Sequence, residues 1–217
     1  MSKNFKGYLG DQIGKLGTAV GRKWKRKMVY SAYQGKVKNP NTEGQQTVRA
    51  RFALLGSMAA SFLDATKKGM AASADRYDYT ESDHFVKRNW DAVTATEPGE
   101  VEVDFGALTI SEGRLPEVYF EAPSFAEEAE VSVAFDGNID ADKAKEEDQV
   151  YIFVYQPDSN RGILSKATSR NAGSVSVVVP ARWSGMEVHV YGFVIGGAAE
   201  NKGMPSDSTY IGHGNIA

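Results

Sequence analysis

The sequence predicts an α+β chain: an N-terminal arm, a β-hairpin and two helices, followed by an antiparallel β-sandwich. Two observations carry this. The spacing of apolar residues switches from a period near 3.6 to a period of 2 around Glu97-Pro98-Gly99-Glu100, and the residues beyond break into seven short apolar runs separated by turn chemistry. A third bounds the alternatives: 217 residues at 41% hydrophobic content suffice for a packed core, which argues against disorder. The expected division is residues 1–98 and 99–217.

The arm comes first. Gly7, Gly10, Gly14, Gly17 and Gly21 recur every three or four residues, and in a helix each would cost about 1 kcal/mol relative to alanine, so an extended or looped arm is expected. Thr18–Trp24 and Met28–Tyr33 are two β-prone runs on either side of Lys25-Arg26-Lys27, the pattern of a hairpin. Asn39-Pro40-Asn41-Thr42 stops the extended stretch, and Thr42 with Gln45 reads as a capping box. Val48, Phe52, Leu55, Ala59 and Phe62 form one apolar helical stripe, ended by Lys67-Lys68-Gly69 with cations at the negative pole and glycine for a left-handed cap. Thr80 and Asp83 open a second helix with Val86, Trp90 and Val93 on its face. Two such helices cannot enclose a core alone and need the hairpin, the second half or another subunit to cover them.

The strand candidates are 107–110, 130–135, 150–155, 163–167, 174–179, 187–195 and 208–211. Turn residues such as Asp136-Gly137-Asn138 and Gln156-Pro157-Asp158 separate them, with no helical pattern between. Seven short strands in this space point to an immunoglobulin/fibronectin type III-like β-sandwich, and the lack of any cysteine favours the fibronectin-like variant.

Charge is distributed unevenly. Residues 1–51 hold twelve Lys or Arg against Asp11 and Glu43, a balance of +10, so the remainder carries −13 of the net −3. Opposed surfaces of this kind attract nucleic acid at one end or let copies stack head to tail. The densest cations, Arg22, Lys23, Lys25, Arg26 and Lys27, surround Trp24, and with Arg49 and Arg51 they are the candidate contacts to a partner or to nucleic acid. Phosphate contacts with aromatic stacking describe one reading; cations guarding a hairpin edge describe another.

Chemistry finds little footing. Without cysteine there are no disulfides, thiolate metal sites or cysteine nucleophiles. His84, His189 and His213 are not at metal-ligand spacing; His189 reads as the solvent-side residue of a strand and His213 as part of a flexible tail. Asp136, Asp140, Asp142 and Asp148 lie in FDGNIDADKAKEED, which lacks the Asp-Gly-Glu framework of a calcium loop and reads as a solvated acidic loop. Nucleophile-elbow and phosphate-loop motifs are absent from the sequence. The expectation is no enzyme, no metal, no cofactor and no small-molecule substrate. No run approaches the length of a membrane span or a signal-peptide core, so a soluble chain made in the cytoplasm is expected.

GDQIGKLGTAV (Gly10–Val20), Asn39-Pro40-Asn41-Thr42 with Gln45-Gln46 and Arg49-Ala50-Arg51-Phe52, LTISEGRL (Leu108–Leu115) and Ser206–Gly212 together resemble an uncharacterised domain-of-unknown-function family of gut-type anaerobic bacteria and their phages. The resemblance carries no catalytic residues. It implies a virion component, assembled in the host cytoplasm, at a tail, connector or capsid surface, with itself and other virion proteins as partners. Two alternatives stand beside it: a nucleic-acid-binding protein using the basic half, and a carbohydrate- or cell-surface-binding module using loops near Trp183.

Overall fold

The computed structural model describes residues 3–4, 12–24, 27–35, 39–126, 129–139 and 141–217. They form two compact units, Met1–Asn41 and Thr42–Ala217.

In the first unit β1 (Lys3–Asn4), β2 (Gln12–Leu16), β3 (Ala19–Trp24) and β4 (Lys27–Ala32) make an antiparallel sheet in sequential order. The predicted hairpin is β3–β4. The glycine repeat is extended, as expected, and is paired into the sheet: β2 runs through it and bonds to β3. Glycine is needed there for approach as much as freedom: a Cβ at Gly21 would stand 2.0 Å from the Gln12 carbonyl oxygen and 3.0 Å from the Tyr30 ring.

The second unit opens with α1 (Glu43–Ser61), whose cap is Thr42: its Oγ1 accepts from the Gln45 amide at 3.4 Å. The expected single long helix breaks at Phe62 and Met70 into α1, α2 (Leu63–Gly69) and α3 (Ala71–Arg76). Gly69 has no left-handed backbone; it is small because a Cβ would lie 2.5 Å from that of Ser111. The second predicted helix is α4 (Glu81–Arg88), where Thr80 accepts from the Asp83 amide at 3.1 Å and donates to its carboxylate at 2.6 Å. Val93 begins a strand instead of continuing the helical face. β5 (Val93–Glu97) and β6 (Glu100–Val103) form a hairpin around Pro98-Gly99, with Gly99 at φ +90°. The expected boundary is therefore a turn.

The remaining strands are β7 (Tyr119–Phe120), β8 (Ser124–Ala126), β9 (Glu130–Asp136), β10 (Gln149–Gln156), β11 (Arg161–Leu164), β12 (Thr168–Ser169), β13 (Ser174–Val178), β14 (Glu187–Ile195) and β15 (Thr209–Asn215). One antiparallel sheet runs β11-β10-β14-β15 with β12 also on β10; the other runs β13-β9-β7 with β8 also on β9. The predicted strand at 107–110 is not one. Side chains take the place of a ladder there: Asn89 bonds both ways to Thr109, accepting at 2.7 Å and donating at 2.9 Å, and Ser208 Oγ accepts from the Ile110 amide at 2.9 Å.

Alternation along β10 places the core. Val150, Ile152 and Val154 pack with Val131, Val133, Val175, Val177, Val188 and Val190 between the two sheets. Tyr151, Phe153 and Tyr155 point the other way and join Tyr191 and Phe193 beneath the helices. Phe62 sits at the centre of that second core, its ring 4.7 Å from Phe153, 4.7 Å from Tyr155 and 5.1 Å from Phe85. A strand apolar on both faces needs two covers. This is why the units divide at residue 41/42 and not at 98/99: the helices supply one cover and are inseparable from the sheets. The architecture is α+β, with mostly antiparallel sheets and, among the described residues, four α-helices.

Candidate interaction site

The candidate residues fall on both units. On β3–β4 the register pairs Arg22 with Val29, Lys23 with Met28 and Trp24 with Lys27. Directly paired residues share a face, and successive residues alternate faces. Arg22, Trp24 and Lys27 therefore lie on one face, and Lys23 lies on the other beside Tyr30. Pairing of β2 with β3 adds Lys15, opposite Val20, to the Arg22 face. Its ammonium stands 3.7 Å from the centre of the Tyr33 ring, a cation–π contact. Trp24 is 40% exposed and Tyr33 51% exposed, so this face presents cations interleaved with aromatic surface. Lys25 and Arg26 lie outside the described residues.

Arg49 and Arg51 lie on α1. Arg49 is exposed, whereas Arg51 is half-buried with its guanidinium 5.7 Å from the Trp90 ring centre. Phe52 leans on the same ring at 4.9 Å. Arg51 thus packs the middle of α1 onto the turn after α4, a role its sequence position did not signal.

The second unit holds a polar cluster that the sequence reading missed. His189 is only 7% exposed, not solvent-facing as expected, because it shares the helix-side face of β14 with Tyr191 and Phe193. It stacks on Phe105 with 3.9 Å between ring centres. His213 belongs to β15, paired directly with His189, and not to a flexible tail. Glu187, His213, Tyr210 and His189 form a chain: 3.7 Å from Glu187 Oε1 to His213 Nε2, 3.3 Å from His213 Nδ1 to the Tyr210 hydroxyl, and 3.0 Å on to His189 Nδ1. Burial pushes His189 below the ordinary imidazole value, against the pull of Glu187 and with that of His213. Burial also raises Tyr210. Beside the chain an open groove of about 480 Å³ is lined by Thr94, Glu102, Asp104, Phe105, Tyr210 and His213. The β14–β15 register brings Glu187, His189, Tyr210 and His213 together. The legible signal was the aromatic character of positions 191 and 193, which marks their shared face with 189 as buried.

One further expectation meets the structure here. Asp148 is not solvated but fully buried against Arg170. Trp183 is 1% exposed and its side chain anchors the surrounding loop in the core between the sheets. Among the described residues no three His, Asp or Glu side chains converge as a metal-holding group, and no helix is long and apolar enough to cross a membrane.

Taken together, these features define an α+β protein whose second unit has helices on one sheet and whose first unit presents a basic, aromatic sheet face. The chain belongs to a family of unknown function, DUF6266, whose model matches residues 10–212. No curated protein matches it.

Proposed function

We propose that this is a non-enzymatic structural protein, a phage virion component of the tail, connector or capsid surface, that assembles through its basic N-terminal half. The observation that carries the reading is the separate N-terminal sheet whose exposed face combines Lys15, Arg22 and Lys27 with Trp24 and Tyr33. Cation and aromatic together suit a docking surface: the charge steers the encounter and the rings supply buried area once docked. The virion setting is supported by the sequence resemblance described above. We further infer that the two facing sheets are an immunoglobulin/fibronectin type III-like sandwich. The order β8-β9-β13 against β11-β10-β14-β15 supports this: with the two-residue strands β7 and β12 set aside, the first, second and fifth strands lie in one sheet and the third, fourth, sixth and seventh in the other.

Mass measurement of the purified chain, alone and mixed with candidate particle proteins, tests the function. Assembly that is lost on Arg22→Glu/Lys27→Glu substitution is expected; a chain solitary under all conditions, or one that turns over a small molecule, contradicts it. The same face favours a second reading as a single-stranded nucleic-acid binder. That reading predicts oligonucleotide affinity falling by orders of magnitude between low and physiological salt.

A further inference from the structure

We propose that the acidic β5–β6 ribbon, with the groove beside it, receives the basic β3–β4 ribbon of a second copy of this chain. The inference rests on the reading that the N-terminal unit mediates assembly, and adds what it docks on.

From Asn89 to Gly113 the chain carries six acids and no Lys or Arg. Four of them, Glu97, Glu100, Glu102 and Asp104, are exposed on or directly after β5–β6. Glu97 and Glu100 are directly paired across the ribbon. Like charges opposite one another destabilise a ribbon, and a cationic partner removes that repulsion. Glu102 pairs with Thr94, and both, with Asp104, line the groove alongside Phe105 and Tyr210. Carboxylates beside aromatic faces are the complement of a guanidinium or ammonium, which takes charge from the first and cation–π attraction from the second.

The partner ribbon has matching spacing. Arg22 and Lys27 are diagonal neighbours on one face of β3–β4, about 7 Å apart, while Glu100 and Glu102 are two residues apart on one strand, also about 7 Å. Residues 1–41 hold ten Lys or Arg against Asp11, a balance of +9, which leaves −12 for residues 42–217, so the complementarity holds for whole units as well. A contact that uses different surfaces on the two copies propagates head to tail, as a ring or a filament.

The test uses full-length chain, with mass and sedimentation measured at low and physiological salt. Variant A carries Glu97→Lys, Glu100→Lys and Glu102→Lys; variant B carries Lys15→Glu, Arg22→Glu and Lys27→Glu; circular dichroism melts confirm that each folds. Each variant alone should associate at least about ten-fold more weakly than wild type, and added salt should weaken wild type, because exposed pairs are screened. A chain carrying both sets should associate again, its reversed ribbons once more being complementary. If A associates like wild type while B does not, the inference is overturned and the assembly reading stands. Wild type that stays monomeric at low salt overturns both, and retention of single-stranded oligonucleotide by that monomer reassigns the basic ribbon to nucleic acid.

Discussion

The Arg170 guanidinium lies 3.3 Å from the Asp148 carboxylate with neither side chain exposed to solvent. Around the pair, Arg170 donates to the carbonyls of Gly137 at 2.9 Å and Pro116 at 2.6 Å, and Asp148 accepts from Asn201 Nδ2 at 2.8 Å and the Gly197 amide at 3.1 Å. Four loops are thereby tied to one buried charge pair. Burial lowers the Arg170 pKa, and Asp148 opposes that shift. Removing one partner strands the other charge without water, so Asp148→Ala or Arg170→Met should cost about 3–5 kcal/mol in urea unfolding. The double replacement should cost less than the sum of the two, and additive losses would show that the pair does not act as a unit.

Gly69→Ala should destabilise, although alanine is normally the better helix residue by about 1 kcal/mol. The new Cβ would meet Ser111 Cβ at 2.5 Å and its Oγ at 2.6 Å. A loss of about 1–3 kcal/mol is expected, as for overpacking elsewhere. Ser111→Gly should recover part of it in the double variant, even though it also deletes the bond from Ser111 Oγ to the Ser206 carbonyl.

Truncation separates the two divisions of the chain. Residues 42–217 should unfold cooperatively on their own, since both cores lie within them. Residues 99–217 should aggregate, because loss of the helices bares Tyr151, Phe153, Tyr155, Tyr191 and Phe193 on one sheet face. Phe62→Ala in the intact chain should cost about 3–5 kcal/mol, the range for a buried aromatic. A stable, monomeric 99–217 fragment would contradict this account of the core.

Acid should destabilise through His189. Its folded pKa is depressed by burial, so the unfolded chain takes up a proton first as pH falls below the ordinary imidazole range near 6.5. Stability from this group is full above that pH and is lost progressively as pH descends toward the folded value. His189→Phe, which keeps a ring against Phe105, should flatten the Tm-versus-pH curve over that window. An unchanged slope would mean that other groups set it.

Much of this was legible beforehand, and the failures share a cause. Caps were readable because they are local: Thr42 to Gln45 and Thr80 to Asp83 are hydrogen bonds between residues three apart. Long strands were readable because β10 and β14 consist almost wholly of β-branched and aromatic residues. The 107–110 segment was misread because its backbone is satisfied by Asn89 and Ser208, residues distant in sequence. Gly69 was misread as a cap because its actual neighbour, Ser111, is forty-two positions away. Asp148 looked like part of a solvated acidic loop because nothing near it in sequence announces Arg170. Of the candidate contacts, Arg22 and Trp24 share a sheet face, which period-2 alternation implies, and Lys27 joins them only through the β3–β4 register; the use of Arg51 in packing against Trp90 could not be foreseen.

Periodicity, capping residues and turn chemistry are short-range, so the chain's own order dictated an α+β protein with a basic front, a hairpin, capped helices and antiparallel strands. Tertiary packing alone decided that the helices share a core with the sheets and that His189, Tyr210 and His213 meet. Those arrangements depend on which apolar face covers which, and burial of a face is a property of two elements together that neither segment carries by itself.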